Sequence, residues 1–201
     1  MSENARPLWL TVLKAVAITA SVASLLVIYM PDLPVVGRLF YPYYYRPLIE
    51  AEAKRYGLDP LFVAAVIRQE SSFKPQAKSP VGAVGLMQLM PKTGTWASEQ
   101  VGLKNFKVSQ LEDPAVNVKL GCWYLSYLFQ QFREPAKVLA AYNGGEGNMA
   151  YWGSLQGEQL KHAFPETQGY VAQGMKAYSR YKALYQPEMV RVVPPGLRVL
   201  R

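Results

Sequence analysis

Residues 61–73 read Leu-Phe-Val-Ala-Ala-Val-Ile-Arg-Gln-Glu-Ser-Ser-Phe, LFVAAVIRQESSF. Phe62, Val66 and Glu70 are spaced by four, and Val63, Ile67 and Glu70 by four and three. On an α-helix these positions share one stripe, and Arg68 projects to another face. The stripe is apolar except for Glu70. An ionisable group on a core-facing stripe is costly unless it is paired or used. Burial disfavours the charged carboxylate and raises its pKa, and a carboxyl still protonated near neutrality can serve as a general acid. The bland alternative is a carboxylate at a helix end, satisfied by a cap or by an arginine.

Outward from this helix the pattern stays helical. "PLIEAEAKRYG" (Pro47 to Gly57) predicts a helix closed by Gly57. Asp59 and Pro60 supply an N-cap and a first-turn proline for the Glu70 helix. "SPVGAVG" (Ser79 to Gly85) is too glycine-rich for a regular element. Further helices are expected from Pro91 to a stop at Gly102, from Asp113-Pro114 along "AVNVKLGCWYLSYLFQQF", in "EPAKVLAAYN" before a glycine loop and another short helix, and in "ETQGYVAQGMKAYSRYKALY". Neither an alternating strand pattern nor an internal repeat is seen, which makes the fold class all-α.

The 201 residues, half of them apolar, allow one domain with a terminal appendage. Ala15 to Met30 holds sixteen residues without a charge, and from Leu8 the run is interrupted only by Lys14. It is long enough to span about 30 Å of hydrocarbon. Arg6 and Lys14 on its N-terminal side put that side in the cytoplasm. A cleaved signal peptide competes, but Leu25-Leu26-Val27-Ile28 continues the apolar run past the small residues, which favours an uncleaved anchor. The expected organisation is therefore a membrane segment (1–30), a tyrosine-rich connector (31–47), a helical domain (48–185) and a loosely ordered tail (186–201). The tyrosines of "FYPYYYRP" (Phe40 to Pro47) can sit at the headgroup level or pack on the following domain.

The net charge of +8 suits an anionic polymer or a membrane surface, although many exported domains are simply basic. The charge is dispersed, with no run like that of a nucleic-acid-reading helix, so nucleic acid is not an expected partner. One cysteine, Cys122, excludes an internal disulfide and reads as a small core residue. A single histidine, His162, with no nucleophile turn near it, argues against Ser-His-Asp chemistry, and the counts exclude zinc clusters of His and Cys. Gly145, Gly147 and Ala150 match a loose dinucleotide loop but lack its βαβ context.

The ordered set Glu70-Ser71, Ser79, "GAVGLMQLMP" (Gly82 to Pro91), "NVKLGCWYL" (Asn117 to Leu125), "AAYNGGEGN" (Ala140 to Asn148) and "PETQGYV" (Pro165 to Val171) resembles the lytic transglycosylases of the soluble-transglycosylase (SLT) type, with a lysozyme-like domain. The resemblance covers about Leu48 to Tyr185. It implies a mainly helical domain with a cleft, an envelope location and peptidoglycan glycan strands as substrate. It implies that Glu70 is the single catalytic acid and base. Ser79 would lie near an acetamido group, and Gly85, Leu86, Met87 and Gln88 would line the cleft, Met87 touching sugar and Gln88 hydrogen-bonding it. Tyr142 and Asn143 would form the opposite wall, and Tyr170 would steady the glutamate. Core packing for Met87 and helix capping for Asn143 remain equally open from the sequence. Glycines 144, 145 and 147 depart slightly from the family's Ala-Gly-Pro-Gly turn.

An ordinary glycosidase uses two carboxylates, and Glu146 and Glu166 lie in polar contexts. The expected reaction is therefore cleavage between N-acetylmuramic acid and N-acetylglucosamine with closure of a 1,6-anhydro ring, the substrate's own N-acetyl group replacing the second acid. It calls for no cofactor and no metal. The rivals are a goose-type lysozyme-like hydrolase, with Glu146 or another acid orienting water, and a catalytically idle wall-binding module.

Overall fold

The structure is a computed structural model, and it describes residues 8–29, 34–148 and 165–192. His162, Ala150, the short helix expected past Asn148 and the last part of the tail lie outside them. The chain divides into two compact units, Met1–Pro42 and Tyr43–Arg201.

The first unit holds α1 (Leu8–Tyr29) and α2 (Pro34–Phe40), so part of the expected connector is helical. Trp9, Leu10, Val12, Leu13, Val16 and Ile18 of α1 are all exposed, and they point in every direction around the helix. The expected membrane span is not shown, since among the described residues no helix is long and apolar enough to cross a membrane.

The second unit is mainly helical. Its elements are α3 (Arg46–Arg55), α4 (Pro60–Ser71), α5 (Pro91–Gln100), a 3-10 turn (Val108–Glu112), α6 (Pro114–Phe132), α7 (Pro135–Gly144) and α8 (Pro165–Val192). Among the described residues pairing of β type is limited to two isolated bridges, Lys78 with Val84 and Val84 with Leu89. Prolines mark the starts because a first-turn N–H has no intrahelical partner to lose. α8 runs through Pro187 to Val192, past the tail expected from Gln186. Tyr43 of the tyrosine-rich stretch packs edge-on against Tyr181 and Tyr185, and Tyr44 against Phe73, so these rings serve the domain itself.

α4 is the centre. Leu61 to Ile67 are each at most 2% exposed, so the helix is covered on all sides rather than along one stripe. Asp59 Oδ1 accepts from the Leu61 N–H at 2.8 Å and caps it, while Oδ2 accepts from the Tyr178 hydroxyl at 2.6 Å. α8 thereby grips the start of α4, and Phe62 meets the Tyr178 ring at 5.3 Å. Near the other end of α4, a Cβ on Gly174 of α8 would stand 2.8 Å from Leu139 Cδ1 and 3.0 Å from Gln69 Oε1, so a larger residue there would push the ends of both side chains aside.

The segment after α4 is irregular and is held by side chains. Asn117 of α6, fully buried, donates to the carbonyls of Val84 (2.9 Å) and Leu111 (2.8 Å) and accepts from the Met87 N–H (2.7 Å). Gly85 has φ +84°, and a Cβ there would fall 2.2 Å from both Asn117 Nδ2 and the Leu111 oxygen. The Lys78–Glu112 ion pair at 2.7 Å ties the same segment to the 3-10 turn, but it is solvent-exposed and worth less than about 1 kcal/mol. Losing the three buried bonds of Asn117 leaves polar groups unsatisfied at about 1–3 kcal/mol each. Asn117→Ala should therefore lower unfolding stability by about 3 kcal/mol or more in urea titrations, whereas Lys78→Ala should cost less than about 1 kcal/mol.

Candidate active site

Glu70 sits on the last turn of α4. The buried helix behind it removes most of its water. The Tyr170 hydroxyl donates a short hydrogen bond to its Oε1. Gln69, next to it, donates through Nε2 to the Tyr170 carbonyl at 2.8 Å, so one residue of α8 is tied by backbone and side chain to consecutive residues of α4. Desolvation pushes the Glu70 pKa up from 4.5 to about 7, and the Tyr170 bond opposes that rise without cancelling it. Among the described residues no other carboxylate contributes to the shift. The group is thus an isolated carboxyl, poised to give or take a proton near neutrality. The Tyr170 phenol is itself pushed well above its ordinary value, first by burial and then by the Glu70 charge, so it acts only as a donor.

The expected wall residues are brought to this neighbourhood in different ways. Ser71 Oγ donates to the Leu86 carbonyl at 2.7 Å, which anchors the segment to α4 beside Glu70. Gly85, Leu86 and Met87 are buried, Leu86 and Met87 completely. Of the two readings open for Met87, contact with sugar and core packing, its complete burial agrees with core packing. Its sulfur lies where a Cβ on Gly121 would come within 2.2 Å, so its side chain fills the core against α6. Gln88, at φ +46°, donates through Nε2 to the Ala77 (3.0 Å) and Gly85 (2.9 Å) carbonyls. Its NH₂ is therefore engaged inside the protein, and its carbonyl oxygen is the group left for a ligand. Ser79 Oγ accepts from the Ala83 N–H at 2.9 Å, which leaves its hydroxyl proton to donate.

Tyr142, near the end of α7, donates to the Met87 carbonyl at 2.6 Å. The two expected walls are therefore joined at this point by a hydrogen bond. Burial first, then the Glu70 charge, raises the Tyr142 pKa, so this donor also keeps its proton. Asn143 is exposed, and its Oδ1 accepts from the buried Thr167 hydroxyl at 2.9 Å, which links the end of α7 to the start of α8. Glu166 and Glu146 are exposed, Glu146 lying against the Tyr127 hydroxyl. Gln69, Asn117 and Thr167 were not singled out from the sequence. A polar residue on an otherwise apolar helix face is the signal Asn117 offers.

Comparisons with known proteins agree with this geometry. The family model for the Transglycosylase SLT domain matches residues 47–165. The soluble lytic murein transglycosylase of Escherichia coli K12 is 33% identical over 169 residues, 79% of this chain and 26% of that protein. Membrane-bound lytic murein transglycosylase C of Haemophilus influenzae PittGG is 37% identical over 116 residues, 51% of this chain and 32% of that protein. Among solved structures, that of an inactive mutant of the lytic transglycosylase Slt from Pseudomonas aeruginosa superimposes with a TM-score of 0.68 at 32% identity, covering 79% of this chain and 26% of that one. The chain thus spans about a quarter of the length of the soluble relative it matches.

The raised pKa has a thermodynamic sign. A carboxyl that binds its proton more tightly when folded favours the folded state at low pH. That advantage is complete below the unfolded value near 4.5 and is lost as pH rises through about 7. Glu70→Gln keeps the shape and removes the ionisation. Its unfolding free energy should exceed that of the parent at pH 8, by on the order of 3 kcal/mol at most, and match it near pH 4. Denaturant titrations at the two pH values check this.

Proposed function

The chain belongs to the Transglycosylase SLT domain family, and from this we propose that it is a peptidoglycan lytic transglycosylase of the cell envelope. The observation that carries the reading is the desolvated Glu70 held by Tyr170, with no second carboxylate coupled to it among the described residues. Glu70 in its protonated form gives its proton to the oxygen of the β-1,4 bond between N-acetylmuramic acid and N-acetylglucosamine. The C1–O bond breaks, and the acetamido oxygen of the muramic residue holds the electron-poor C1. Glu70, now a carboxylate, takes the proton of the C6 hydroxyl. That oxygen closes on C1, displaces the acetamido oxygen and leaves a 1,6-anhydro end. Proton donation and recovery by one group need a pKa near the working pH, which desolvation supplies.

Tyr170 keeps Glu70 aimed while never competing for its proton. The Ser79 hydroxyl and the Gln88 carbonyl oxygen are the polar groups with capacity for the acetamido and hydroxyl groups of the sugar, and Asn143 presents its amide from the opposite side. Leu86, Met87 and Tyr142 hold the backbone of the wall in place. A hydrolase would need Glu146 or another acid to orient water, and Glu146 is engaged at Tyr127.

We also propose that α1 holds the domain at the membrane, with the catalytic unit on the periplasmic or outer side. The support is the uncharged run Ala15 to Met30, the apolar residues exposed all around α1 and a membrane-bound relative. Twenty-two helical residues reach about 33 Å.

Two experiments test these readings. Product analysis on intact sacculi should find anhydromuropeptides lighter by one water than hydrolysis products, and Glu70→Gln should release at least about 100-fold less. The parent's rate should fall above about pH 7, and Tyr170→Phe, which removes the contact that lowers the Glu70 pKa, should move that fall to higher pH. Reducing-end products, or release undiminished in Glu70→Gln, reject the mechanism. For the anchor, full-length protein should stay with membranes through carbonate washing and be extracted by detergent, and a chain starting at residue 43 should wash off.

A further inference from the structure

The rings on α5 and α6 have no part in the chemistry above. Trp96 of α5 meets Trp123 of α6 edge to face at 4.7 Å between centroids, and Tyr127 at 4.9 Å. Tyr127 lies nearly parallel to Trp123, at 18°, and to Tyr124, at 13°. Tyr124 then meets Tyr142 at 5.5 Å, the tyrosine whose hydroxyl holds the Met87 carbonyl. The rings therefore run without a break from the wall beside Glu70 out along the surface of α6.

Their placement is not that of core residues. Cys122, Leu125 and Leu128 form the fully buried side of α6. Trp123, Tyr124 and Tyr127 sit on its other side, and with Trp96 they are only half-buried. An outward helix face ordinarily carries polar groups, and large aromatics grouped there mark a surface that binds something. Beside Trp96 opens a depression of about 360 Å³ lined by Pro91, Lys92, Thr95, Trp96 and Glu99. It therefore combines an apolar floor with charged edges. At the other end of the row, Glu146 lies against the Tyr127 hydroxyl.

We propose that Trp96, Trp123, Tyr124 and Tyr127 form a stacking platform that carries further sugar rings of the glycan strand beyond the catalytic position. A β-1,4-linked pyranose offers an apolar face of axial C–H groups and a rim of equatorial hydroxyls. The electron-rich aromatic face would take the former, and Lys92 and Glu99 at the Trp96 depression and Glu146 at Tyr127 offer charged partners for the latter. Continuity with Tyr142 selects the glycan as occupant rather than an unrelated protein surface. The proposal rests on the peptidoglycan reading and adds the track along which the strand lies.

The test uses the full-length Glu70→Gln protein in detergent micelles, titrated calorimetrically with β-1,4-linked N-acetylglucosamine oligomers of two, four and six units. Affinity should rise from the tetramer to the hexamer. Trp96→Ala and Trp123→Ala should each weaken hexamer binding about three- to tenfold with little change for the dimer, and Trp96→Phe should restore most of the loss. Trp96→Leu, which keeps apolar bulk without the ring, reads the same effect where alanine lowers the melting temperature too far. Absence of hexamer binding, hexamer affinity unchanged in the folded alanine or leucine variants, or equal losses for dimer and hexamer would overturn the platform. Failure of the catalytic reading shows separately, as parent protein that releases no anhydro product from sacculi. Release that persists while the variants bind hexamer normally removes the platform alone.

Discussion

The removal of water from one carboxyl governs the arrangement of this domain. Glu70 sits on the last turn of a helix whose residues Leu61 to Ile67 are buried on every side. A carboxylate in that position is disfavoured because its charge has lost most of its solvation. Tyr170 returns a single hydrogen bond, enough to fix the side chain but not enough to bring its pKa back to the ordinary range. Other parts of the site serve this balance. α8 brings Tyr170 in, and Gly174 and Gln69 lie where that helix meets α4.

The opposite side is built by a different device. The loop from Ala77 to Met90 has almost no regular structure, and the backbone groups that its own turns leave over find partners in side chains. Asn117 supplies two from within the core, Ser71 and Tyr142 one each, and Gln88 turns its amide inward for two more. A segment without a ladder of its own is thereby held in one shape. Such rigidity is what a surface needs if it is to place polar atoms against a sugar.

Much of this was legible in the residues. Proline and Asp-Pro punctuation marked the helix starts, since a proline ring fixes φ and gives up an N–H that a first turn does not use. Glu70 stood out because a charge on an apolar stripe needs a reason. The stripe understated the burial, because periodicity along one helix says nothing about what covers its other sides. Met87 shows the same limit from the opposite direction. The sequence left core packing and ligand contact equally open for it, because Gly121, thirty-four positions later, makes the space that the thioether fills. The ties of Gln69 to Tyr170 and of Thr167 to Asn143 depend on which helices meet, and that is set by the whole core rather than by local spacing.

The bond from Gln69 to the Tyr170 carbonyl joins residues 101 positions apart. Contacts of such long sequence separation carry a large loop-closure cost and form only when most of the chain has condensed. During synthesis, residue 70 leaves the ribosome long before residue 170 exists. Until then its carboxyl is hydrated and titrates like that of any glutamate, so the raised pKa belongs to the folded domain alone.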